Sequence, residues 1–120
     1  MASILTADDT ATMRQMISFT LGSAGHEVVQ ATDGAEALTI ARTRKFDLVI
    51  ADVNMPNMDG ISLVKSLRDL PDYKFTPILM LTTESQEQRR QAGRTAGATG
   101  WIVKPFNPEQ LLTVVKKVVG

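Results

Sequence analysis

Three carboxylates, a pair of hydroxyls and an amine recur along the chain, each just past a short apolar run. Asp8 and Asp9 follow residues 3–7 (SILTA), Asp52 follows 47–51 (DLVIA), Thr82 and Thr83 follow 77–81 (PILML), and Lys104 follows 100–103 (GWIV). Gathered at one place, the acids repel. Two charges about 4 Å apart cost about 4 kcal/mol at an effective dielectric near 20. Such a cluster needs protonation or a cation. Oxygen ligands without His or Cys favour Mg2+ or Mn2+ over zinc. An acid beside a divalent cation and an ammonium is placed to accept a phosphoryl group, and aspartyl phosphate formation is a known nucleophilic route. The cation and Lys104 would stabilise the equatorial phosphoryl oxygens, and the Thr82 hydroxyl would bond one of them afterwards.

The elements that must bring these residues together are legible as an alternation. Short β-like runs lie at 3–7, 27–31, 47–51, 77–81 and 100–103. Three of them are apolar almost throughout, as strands covered on both faces are. Between them lie helical candidates at 10–24, 35–44, 61–70, 86–96 and 108–119. The first places Met13, Met16, Ile17 and Leu21 on one side, with Gly25 at a C-terminal cap position. The last opens on Pro108 and carries Leu111, Leu112, Val115, Val118 and Val119. Strict β/α alternation predicts right-handed crossovers and a parallel sheet with helices on both faces. Ligands then bind beyond the carboxyl ends of the strands, where the acids, hydroxyls and amine stand. The second run ends less distinctively, at Thr32-Asp33-Gly34, a turn leading into a helix.

Bulk composition narrows the classes. The 120 residues suit one domain, expected to span 1–120. Thirteen Lys plus Arg balance thirteen Asp plus Glu, so no net basic field draws nucleic acid or an anionic membrane. The absence of Cys excludes disulfides and thiol chemistry and fits a cytoplasmic protein. The opening MASILTADD has no basic segment with a long apolar core, so no signal peptide is read there.

Four motifs in order, ADD, DVNMPNMDG, LTT and KPF, each at its strand end, resemble response-regulator receiver domains of two-component signalling over essentially the whole chain. NMPNMDG and GWIVKPF look most like the stand-alone chemotaxis receivers of the CheY type. The resemblance implies a doubly wound α/β fold with a five-stranded parallel sheet in the order 2-1-3-4-5 and five helices. It implies Asp52 as phosphoacceptor, with Thr82 and Lys104 contacting the phosphoryl group. Asp9 would bind the metal directly and Asp8 largely through water, with Asp52 and the backbone carbonyl of Asn54 completing the ligands. Asn54 and Glu84 match positions that tune dephosphorylation, and Lys104-Pro105 matches a bond that is often cis.

The implied partners are a CheA-like histidine kinase and a protein reader such as a flagellar motor switch protein, with a phosphatase as a further candidate. Phosphorylation would remodel the face formed by the fourth helix, fifth strand and fifth helix. The domain would act as a switch that assists its own phosphorylation and dephosphorylation, not as an enzyme on other substrates. The chain ends at Gly120 without an output domain, so output through protein contact is expected. Trp101 is read either as an anchor on the sheet or as a side chain whose burial follows Thr82. In the fourth helix, Arg90 stands where motor-binding members carry an apolar contact residue, and Arg89 and Arg94 flank it.

Blander roles compete at each position. Asp8 and Asp9 also suit the start of the first helix as N-caps. His26 is read as structural or exposed, and the methionines as core filler, with Met55 and Met58 partly exposed in the acidic loop. Three alternative functions compete with the switch. A phosphate sink would accept phosphoryl groups without an output. A phosphatase of the haloacid-dehalogenase type wants a second acid two residues after its nucleophile, where Asn54 stands. A flavodoxin-like module would cradle phosphate after the first strand, where Asp8 and Asp9 would repel it.

Overall fold

The computed structural model describes residues 2–83 and 87–119, the side chains of residues 87–89 excepted. Five strands and five helices alternate among them: β1 (Ser3–Ala7), α1 (Ala11–Ser23), β2 (Glu27–Ala31), α2 (Gly34–Thr43), β3 (Leu48–Asp52), α3 (Gly60–Arg68), β4 (Ile78–Thr83), α4 (Glu87–Ala96), β5 (Gly100–Lys104) and α5 (Pro108–Val119). One 3-10 turn, Pro71–Tyr73, precedes β4. All strand pairs are parallel, and the sheet order is β2-β1-β3-β4-β5, the order the family resemblance implies.

The pleat explains why the inner strands are apolar throughout. On one face Leu5, Ala7, Val49, Ala51 and Met80 pack with residues of α2 and α3. On the other, Ile4, Leu48, Ile50, Leu79 and Leu81 pack with Ile17, Leu21, Leu111 and Val115 of α1 and α5. β3 is buried at every position, whereas the edge strand β2 is buried only at Ala31. Burying both faces makes side-chain alternation unreadable in β3 and β4 and leaves a plain apolar run instead.

The caps set the helix starts. The Asp33 carboxylate accepts from Glu36 N at 2.8 Å and the Asp59 carboxylate from Ser62 N at 2.8 Å. Before α5, Asn107 and Gln110 exchange reciprocal bonds at 2.8 and 2.9 Å, a capping box with Pro108 at the first helical position. Gly25 follows α1 with φ of +93°, the left-handed cap its position predicts. His26 has a structural task, its Nδ1 accepting from Ala2 N at 3.1 Å.

At the end of the sheet remote from the acids, Arg68 joins two loops. Its guanidinium donates to the carbonyls of Tyr73 (2.6 Å), Thr76 (2.7 Å) and Gly97 (2.9 and 3.0 Å). The buried Tyr73 hydroxyl accepts from Phe46 N at 3.2 Å and lies 2.6 Å from the Arg44 carbonyl. Among the described residues, no helix is long and apolar enough to cross a membrane.

Candidate functional site

Asp52, Thr82, Thr83 and Lys104 are the last residues inside their strands, not the first beyond them. Backbone pairing continues past the apolar run, with Asp52 in register with Leu81 and Thr83 with Lys104. A polar side chain at a strand's carboxyl end breaks the hydrophobic pattern without breaking the ladder. This fixes the Asp52 backbone within the sheet. Asp8 lies immediately past β1, its N–H donating to the Ala31 carbonyl at 3.2 Å.

The sheet's carboxyl edge brings the residues together. Lys104 Nζ stands 3.1 Å from Asp52 Oδ2 and 3.4 Å from Asp8 Oδ2. One carboxylate oxygen from each of Asp8, Asp9 and Asp52 lies within 4.8 Å of the others. Asp8 is fully buried, Asp52 nearly so, and Asp9 is exposed. Asp8 also has a local task, since its Oδ1 accepts from Thr10 N at 2.8 Å just before α1. The expected capping role is not what forms: the N-cap of α1 is Thr10, without a side-chain cap bond, and Asp8 instead turns the chain just ahead of the helix while taking its place in the acidic cluster.

Burial pushes the Asp52 carboxyl above the ordinary carboxylate range. Lys104 opposes that rise, the neighbouring Asp8 adds to it, and the Asn54 backbone N–H bonded to the carboxylate lowers it. Removing a carboxylate from water disfavours its charged form, and here the ammonium offsets only part of that cost.

The donor set fits a hard divalent ion. All three side chains offer oxygen, and three carboxylates with one ammonium leave two negative charges for a dication to balance. Opposite ligands of Mg2+, at about 2.1 Å each, lie about 4.2 Å apart, close to the span of the cluster. A cleft of about 440 Å³ adjoins it, lined by Asp9, Asn54, Met55, Pro56 and Asp59. Asn54 is exposed in that cleft, and Met55 and Met58 are half-buried.

Thr82 is fully buried on β4, its hydroxyl donating to the Thr83 carbonyl at 3.2 Å. Glu84 lies outside the described residues. The Lys104-Pro105 bond is cis. Trp101 is already half-buried, and its indole lies against α4 at Gly93. The Arg90 guanidinium sits 5.8 Å from the centre of that ring, so Arg90 covers the indole, while Arg94 is exposed.

Two features of the site escaped the sequence reading. A Cβ on Gly60 would lie 2.2 Å from the Asp52 carbonyl, so only glycine lets α3 start this close to β3. Asn57 has φ of +66°, a left-handed residue at the apex of the acidic loop. The Asn and Gly of NMPNMDG are the local signals that pointed to both.

Residues 4–116 match the family model of the response regulator receiver domain. The structure of the chemotaxis response regulator CheY4 of Vibrio cholerae superimposes with a TM-score of 0.94, at 54% identity, covering 98% of each chain. The Chemotaxis protein CheY homolog of Campylobacter jejuni is 38% identical over 119 residues, 98% of this chain and 92% of that protein. The PhoP transcriptional regulatory protein of Bacillus subtilis is 37% identical over 116 residues, 97% of this chain, which spans about half (48%) of PhoP.

Proposed function

The chain belongs to the response regulator receiver domain family, and from that premise we propose that it is a phosphorylation switch whose Asp52 takes a phosphoryl group from the phosphohistidine of a histidine kinase. The observation that carries this reading is Lys104 Nζ held between the carboxylates of Asp52 and Asp8 at the sheet's carboxyl edge. In the transfer, an Asp52 carboxylate oxygen forms the new P–O bond as the P–N bond to the donor imidazole breaks. The fixed Asp52 backbone and the Asn54 N–H orient the carboxylate for in-line attack. Lys104 would follow the charge onto the phosphoryl oxygens, and the Thr82 hydroxyl, which donates to the Thr83 carbonyl here, would turn to bond one of them.

Asp8, Asp9 and Asp52, with the Asn54 carbonyl, would hold Mg2+ or Mn2+, which when bound supplies charge neutralisation for phosphoryl transfer. Hydrolysis of the acyl phosphate then resets the switch, with Asn54 and Glu84 setting its rate. The domain assists both steps and is a signalling device, not an enzyme on other substrates.

The similarity to CheY proteins supports chemotaxis in the cytoplasm as the setting, with a CheA-like kinase upstream. A groove on β5 and α5, lined by Trp101, Val103, Phe106, Gln110 and Val114, supports a reader protein on the face shared with α4. Binding of the phosphorylated form to a motor-switch peptide would distinguish motor output from a phosphate sink.

The test is mass spectrometry after acetyl phosphate treatment, with and without Mg2+, on wild type and Asp52→Asn. Wild type with Mg2+ should gain one phosphoryl mass, and wild type without the metal or the variant should not. An equal gain in the variant removes Asp52 from the role.

A further inference from the structure

The turn Asp33-Gly34 does more than open α2. Gly34 N donates to the Met58 carbonyl at 3.1 Å. A Cβ on Gly34 would sit 2.3 Å from that oxygen, so the approach requires glycine. The two oxygens of Asp33 are divided. Oδ1 caps α2 at Glu36 N, and Oδ2 accepts from Asn57 Nδ2 at 2.6 Å. The cap needs only the first oxygen.

The second bond reaches the apex of the loop that lines the acidic cleft. The base of that loop is closed by Gly60 N donating to the Val53 carbonyl at 2.9 Å, and its tip is turned by Met58 N donating to the Pro56 carbonyl at 2.7 Å. Asn54, Met55 and Pro56 lie between these fixed points, and the Asn54 N–H bonds the Asp52 carboxylate.

We propose that Asp33 and Asn57 are positioning residues for the acid rim, their bond strapping the loop apex to the start of α2 so that Asn54 and Asp52 stay in the arrangement that receives a divalent cation. The strap rests on the function proposed above. It acts through Asn54 and touches no reacting atom. It holds a left-handed asparagine, a backbone state that non-glycine residues seldom adopt, from a rigid helix end.

Two variants cut the strap while preserving local structure. Asp33→Ser keeps a good N-cap but is too short to reach Asn57. Asn57→Gly keeps the left-handed backbone and the Asp33 cap but removes the amide. Each should unfold at a urea midpoint near that of wild type and bind Mg2+ about 5-fold more weakly in calorimetric titration with MgCl2 alone.

The double variant should bind no more weakly than either single, because both remove the same bond. Asp33→Asn should restore binding, since its oxygen keeps the cap and its amide donates to a flipped Asn57. Singles that bind like wild type, or a double that loses the sum of both, overturn the strap and leave the phosphorylation reading standing. A wild type that takes up no Mg2+ overturns both.

Discussion

At Asp52 burial and the covalent role pull in opposite directions, since burial favours the protonated acid and attack on a phosphoryl group needs the carboxylate. The carboxyl is held above its ordinary 3.8 by burial, with Lys104 compensating only in part. Below that value both folded and unfolded chains carry the proton and the group is neutral to stability. As the pH rises from 3.8 towards the raised value, the unfolded chain gives up its proton first and the folded state loses stability, and above the raised value the loss is complete. Metal-free wild type should therefore fall in urea midpoint relative to Asp52→Asn as the pH rises above 3.8, with both proteins in EDTA. Parallel curves would show that Lys104 and the Asn54 N–H fully answer the cost of burial. The chemistry of this residue was legible because carboxylate, hydroxyl and amine each stood at the end of an apolar run. Its exact seat was not, because a strand-end acid interrupts the hydrophobic pattern while the ladder runs on to Leu81.

Among the elements, α4 shows most clearly what sequence periodicity cannot reach. Its sequence is mostly polar, and nothing local marked Gly93 as the seat for an indole eight residues further on. A Cβ there would stand 2.5 Å from the Trp101 ring. Replacing a mid-helix glycine by alanine ordinarily stabilises by about 1 kcal/mol. Here crowding against the ring should outweigh that gain, since overpacking costs about 1–3 kcal/mol. Gly93→Ala should lower stability by about 1 kcal/mol in urea unfolding. It should also shift Trp101 emission towards that of a solvated indole. A stabilised variant with unchanged emission would mean that helix and indole do not meet. By contrast, α5 was readable because Pro108 opens it and Leu111, Leu112, Val115, Val118 and Val119 follow at helical spacing.

At the scale of the molecule, the two faces of one sheet carry two apolar clusters, and the acid rim crowns the strands common to both. Binding at the rim is therefore linked to the stability of the whole domain. A ligand at about 100 times its Kd stabilises by about 2.7 kcal/mol, or about 10 °C in Tm for a domain of this size. Saturating MgCl2 should raise the Tm of wild type by that amount and leave Asp9→Asn nearly unmoved, because Asp9 is exposed and its removal spares the core. An equal rise in both proteins would assign the effect to salt. The layer architecture followed from the alternation of apolar runs and helical periods, each of which is local. The long-range ties, Arg68 to Gly97 and Asp33 to Asn57, were not legible, since neither partner of either pair carries a mark of the other.

The Arg68 tie has a mechanical consequence. Gly97, with φ of +112°, sits directly behind α4, and its carbonyl takes two bonds from the guanidinium. A rod pinned at its heel has rotation as its softest freedom. Any displacement of α4 must then grow with distance from Gly97, and a protein gripping near Arg90 would feel a longer stroke than one gripping near Ala96.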